Sequence, residues 1–173
     1  MLIVLFEGVV LDSFFQWVYD LPIADGIRSN ELAFPWLESV HVLAITLVLG
    51  SIAVADLRLL GIASVKRPVS QLLHEVLPVT WVAFGVALIT GLLMFTSNAV
   101  EYVHNKPFQF KMLLLLLAGL NMLVFQLVTF RTVGTWDEAA RTPPGARFAG
   151  AASLLCWIGV VAFGRWIGFT IGF

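Results

Sequence analysis

Four long apolar runs constrain this chain more than any other feature. They extend from about Pro35 to Leu60, Leu77 to Ser97, Phe108 to Phe130 and Phe148 to Phe169, and each reaches the ~20 residues needed to cross a hydrocarbon core. Lipid leaves helices and closed barrels as the spanning structures, and runs of this length are helical. Composition agrees: 60% of the 173 residues are hydrophobic and 12% charged, with a net charge of −1. The sequence therefore predicts an all-α, integral membrane four-helix bundle. The near-neutral charge and lack of a polybasic tract argue against nucleic-acid binding.

Between the runs lie Lys66-Arg67-Pro68, the stretch from Asn98 to Pro107, and Thr142-Pro143-Pro144-Gly145, all turn and loop chemistry. Pro35, Pro78 and Pro107 are expected in the first turns of their helices, where a missing N–H costs nothing. Residues 1–34 form a separate N-terminal segment preceding the membrane domain of residues 35–173. Leu2, Leu5, Phe6, Val9 and Val10 recur at helical spacing, but Glu7, Asp12 and Gln16 interrupt them. This reads as an amphipathic helix lying in the interface, with Trp17 and Tyr19 at headgroup level. Without a basic leader region it makes a poor signal peptide and is expected to stay on the mature protein. The single cysteine, Cys156, is expected to pack in an apolar run.

Sidedness follows from alternating spans. Arg58, Lys66, Arg67, Arg131, Arg141 and Arg147 fall on one side, against Arg28, Lys106, Lys111 and Arg165 on the other. The positive-inside bias makes the first set cytoplasmic and the N-terminus periplasmic or extracellular.

The polar residues inside the apolar runs are where function is sought, because hydrocarbon cannot solvate them. His41 lies about two turns into the first run, and His104 lies in the loop before the third, at the same level. His74 belongs to the opposite end, ~25–30 Å away across the core. His41 and His104 are thus the pair able to supply two axial nitrogens to a b-type haem between helices. Lys111 and Arg165 lie in the same layer as propionate partners. Phe34, Trp36, Phe95, Phe108, Phe110, Trp157 and Trp166 are available to flank a macrocycle, although aromatic belts occur in membrane proteins anyway. Glu38 with His41 and His104, near Met94 and Met112, could alternatively form a copper entry site.

Elsewhere the structural readings weigh more. Asp56 and Arg58 are expected to fix the end of the first helix, and Asn121 and Gln126 to hydrogen-bond between helices. Gly50, Gly85, Gly91, Gly119 and Gly159 are expected to admit close helix approach. No GxxxxGK[ST], HExxH, GxSxG or CxxC occurs.

The segments LESVHVLAITLVLG, ADLRLLG, LPVTWVAFGVALITGLLMF, FQFKMLLLLLAGLNMLVF and WIGVVAFGRWIG resemble a family of bacterial four-helix membrane proteins of unknown function. The likeness covers the chain from about Pro35 onward and implies a multi-pass protein of the bacterial inner membrane. The family pattern stresses Asn105 and Phe108 of NKPF rather than His104. More distantly, the arrangement is similar to copper-resistance D and b-type cytochrome membrane folds, which by analogy implies haem or metal-linked redox chemistry. The resulting expectation is a redox subunit with one haem b near the outer face, exchanging electrons with quinone or a periplasmic partner subunit. A non-catalytic accessory subunit and a small copper transporter are the alternatives.

Overall fold

The computed structural model describes residues 12–139 and 141–171. Much of the amphipathic helix expected over residues 2–19 lies outside them. Its described part is helical over residues 12–19 (α1), followed by α2 (Pro22–Ser29). Helix α1 buries Val18 and brings Phe15 to 6.0 Å from the Phe95 ring, while Phe14 and Trp17 stay exposed. That is the disposition expected of a helix with one face on the bundle and the other toward an interface.

The spanning elements are α3 (Ala33–Leu60), α4 (Val69–Ser97), α6 (Lys106–Val124) and α7 (Pro144–Thr170), with the short α5 (Ala99–His104) between α4 and α6. A π-helical turn (Phe125–Thr129) and a 3-10 turn (Phe130–Thr135) prolong α6. Helices α3, α4, α7 and the continuous Lys106–Thr135 stretch are long and apolar enough to cross a membrane. Large side chains such as Leu43, Val82, Leu155 and Phe169 project outward, and an apolar surface this extensive is solvated by lipid.

Helix α3 ends where the sequence LRLLG requires. Gly61 adopts φ 74°, and the N–H groups of Gly61 and Ile62 return to the carbonyls of Arg58 and Leu57, each at 3.0 Å. Helix α4 differs from expectation: it begins at Val69, not near Leu77, so Pro78 lies well inside it instead of in its first turn. The added turns, VSQLLHE, are amphipathic. They bury Val69, Leu72 and Leu73 and expose Gln71 and Glu75, a pattern that mean hydropathy does not register.

Helix α3 packs along α4 and across α7, and α6 packs on α7. Three apolar clusters fill the bundle. Leu59, Val69, Leu73, Phe125 and Trp136 lie at the α3–α4 loop end; Val48, Ala83, Ala118, Trp157 and Val160 lie in the middle; Tyr102, Ile167 and Ile171 lie at the opposite end. The first we call the latch end and the last the histidine end. Cys156 packs, partly buried, on the middle cluster.

Candidate functional site

At the latch end a single side chain organises the loops. Arg58 is fully buried. Its Nε donates to the Arg67 carbonyl at 2.8 Å, and its Nη2 to the carbonyls of Asp137 and Ala139 at 3.2 and 3.3 Å. It thereby ties the end of α3 to the α3–α4 loop and to the segment entering α7. Asp137 then caps α4: its carboxylate accepts from the Ser70 N–H at 2.7 Å and the Ser70 hydroxyl at 2.5 Å. A carboxylate is favoured where helix N–H groups lack partners. Thr142 closes the arrangement by donating to the Leu59 carbonyl. Arg58 thus fixes the helix end as expected, but through three carbonyls and not by pairing with Asp56.

The histidine end has a different chemistry. His41 on α3 places Nδ1 2.9 Å from the Thr90 hydroxyl of α4. Thr90 has one proton, and its Oγ1 lies 2.7 Å from the Val86 carbonyl, a group that can only accept. Nδ1 is therefore the donor to Thr90, and in the neutral ring Nε2 keeps its lone pair. The imidazole fits because residue 91 is glycine: a Cβ there would lie 2.9 Å from His41 Cε1.

Lys111 of α6 comes close enough to His41 to act on it electrostatically. Its aliphatic end runs beside Gly164 of α7, where a Cβ would stand 3.8 Å from Nζ. Among the described residues the Lys111 ammonium has no ion pair. One helix pair thus presents an imidazole and the other a lysine, within an apolar layer.

The other residues expected here face elsewhere. His104 is 62% exposed; its Nδ1 bonds the Val100 carbonyl at 2.9 Å, and its Nε2 lies 3.5 Å from Asp12 of α1. Arg165 is exposed and stacks over Phe169, 5.1 Å from its centroid. Glu38 is exposed but close to Tyr102, whose phenol is pushed up to about 12 by burial first and then by Glu38 and Glu101. Phe95, Tyr102 and Phe108 pack ring on ring beneath it, at 5.5 to 6.2 Å. Met112 is 48% exposed, and among the described residues no three His, Cys, Asp or Glu side chains converge as a metal site. His74 is exposed near the start of α4, sixteen residues before Thr90, or ~24 Å along the helix.

Asn105 and Phe108 also have structural roles. Asn105 is the N-cap of α6, accepting from the Phe108 N–H at 3.1 Å and donating to Thr170 of α7 at 2.8 Å. Asn121 donates to the Ala149 carbonyl of α7 at 2.9 Å, the interhelical bond expected of it. Gln126 falls in the π-helical turn and makes no such bond among the described residues.

The helices and their lipid-facing surfaces define a multi-pass, four-helix membrane protein. A family model covers residues 29–170, and the chain belongs to that family, DUF6644, a family of unknown function. Neither the curated proteins nor the solved structures provide a match, so the wider likeness to copper-resistance D and cytochrome folds gains no support from them.

Proposed function

We propose that the protein is a membrane redox subunit whose redox group is held at the histidine end by His41. The observation that carries this reading is the tautomer: Thr90 accepts the hydrogen bond from Nδ1–H, so that Nε2 keeps the lone pair a ligand needs. If the group is a b-type haem, His41 would hold its iron and Lys111 would pair with a propionate. When bound, such a haem supplies one-electron transfer. The residues themselves bind and orient: Thr90 fixes the imidazole plane, Gly91 gives it room, and the aromatic cluster below excludes water.

The fit is to one axial nitrogen and one propionate cation. His104 would have to leave Val100 and Asp12 to become the second ligand, and Arg165 would have to turn from Phe169 to reach a propionate. Electrons would pass to or from a quinone or a partner subunit. The arginine and lysine bias of the loops supports the bacterial inner membrane with the N-terminus periplasmic, which puts the histidine end on the periplasmic side.

Absorption spectroscopy tests the reading. Purified protein is expected to show a Soret band that shifts on dithionite reduction and is lost in His41→Ala. Colourless protein without stoichiometric iron overturns the haem.

The outward position of His104 favours a second reading, a non-catalytic accessory subunit in which His41 and Thr90 only lock α3 to α4. It predicts unchanged absorbance in His41→Ala and weakened assembly with partner subunits.

A further inference from the structure

Asp56 is used neither by the histidine end nor by the latch. It lies on α3 where α7 packs closely against it: a Cβ on Gly150 would sit 3.0 Å from the Asp56 carbonyl oxygen. The residue is 5% exposed, the Ser153 side chain of α7 stands beside its carboxyl, and Oδ2 has no hydrogen-bond partner. The nearest cation in sequence, Arg58, directs Nε and Nη2 to three loop carbonyls, and its buried Nη1 has no hydrogen-bond partner either. Among the described residues no ion pair reaches Asp56.

A carboxylate oxygen shielded from water needs a hard positive partner. Hard metal cations take six or more oxygens, whereas a proton needs one. The two side-chain groups found here, one carboxyl and one hydroxyl, match the smaller demand. We propose that Asp56, seated on Ser153, is an intramembrane binding site for a small hard cation, and that its occupant is a proton. This assignment stands independently of the redox reading.

Infrared spectroscopy of the full chain in lipid, at neutral pH and without alkali metal salts, tests it. The expected result is a protonated-carboxyl C=O band that moves in D2O and is absent from Asp56→Asn. Ser153→Ala should keep the band and raise its frequency, since the carboxyl loses its polar neighbour on α7. Sodium chloride substituted for choline chloride probes the occupant: an unchanged band supports the proton, and a band that weakens with sodium alone retains the site but overturns the proton as its occupant. Absence of the band in the wild type, or its persistence in a helical Asp56→Asn protein, overturns the proposal. If Asp56→Asn does not fold, a band unmoved by Ser153→Ala overturns it equally.

Discussion

Arg58 ties three loop carbonyls to the end of α3. A buried guanidinium is stabilised where its donors meet acceptors, as Nε and Nη2 do here while Nη1 stays unpartnered, and removing it strands those acceptors. Arg58→Met keeps the length but leaves the carbonyls of Arg67, Asp137 and Ala139 without their donor. We expect a loss on the order of 3 kcal/mol, measured as a lower denaturation midpoint in detergent. Asp137 gives a pH signature. The Ser70 hydroxyl first, and then the Ser70 N–H, hold its carboxyl below the usual aspartate range. Its contribution is therefore complete above the unfolded-state value of ~3.9 and is lost as pH falls through the lower folded value. Midpoints measured across that acidic window should fall less steeply in Asp137→Asn than in the wild type. That Arg58 fixes the end of α3 was legible in the sequence, but its bonds to Asp137 and Ala139, and that of Asp137 to Ser70, form only after the chain has crossed the membrane and returned.

At the scale of elements, the glycines separate into two groups that sequence spacing alone does not distinguish. Gly91 and Gly159, both expected at close approaches, do face neighbouring side chains; Gly150, which was not singled out, faces the α3 backbone. Gly50, Gly85 and Gly119 have nothing within 4 Å of a built Cβ and so are not packing glycines within this chain. Gly150→Ala should cost ~1–3 kcal/mol, because the Asp56 carbonyl cannot rotate aside. Gly159→Ala should cost less, since it meets a flexible Leu114 methyl at 2.7 Å. Gly50→Ala should be stabilising by ~0.5–1 kcal/mol through helix propensity. Denaturation midpoints of the three variants check the order, and an equal loss in all three would contradict it. Gly91→Ala should displace the His41 ring from Thr90, read as a changed imidazole NMR signal. The length of α4 belongs to the same lesson: its first two turns are amphipathic and are held by Asp137, so hydropathy placed the helix start too late and Pro78 too early.

At the scale of the whole molecule, the four spans return the chain to the side from which α3 began. In a Cys156→Ala background, Glu31→Cys and Lys106→Cys should react with an impermeant maleimide from one side of the membrane, and Lys66→Cys and Arg141→Cys from the other. Labelling of Glu31→Cys and Lys66→Cys from a common side would contradict this topology. The sequence by itself determined the membrane class, the number of spans, the place of Pro107 in the first turn of its helix, and the separation of His74 from His41. Those follow from hydropathy, local backbone chemistry and helical rise, which act within one segment. Only the tertiary structure decided that His41 meets Thr90 while His104 and Arg165 turn away, and that Arg58 bonds carbonyls instead of Asp56. The physical reason is rotation and register: an apolar run specifies that a helix crosses the bilayer, but lipid surrounds every face alike, so the side a polar residue presents is set by the helices packed against it.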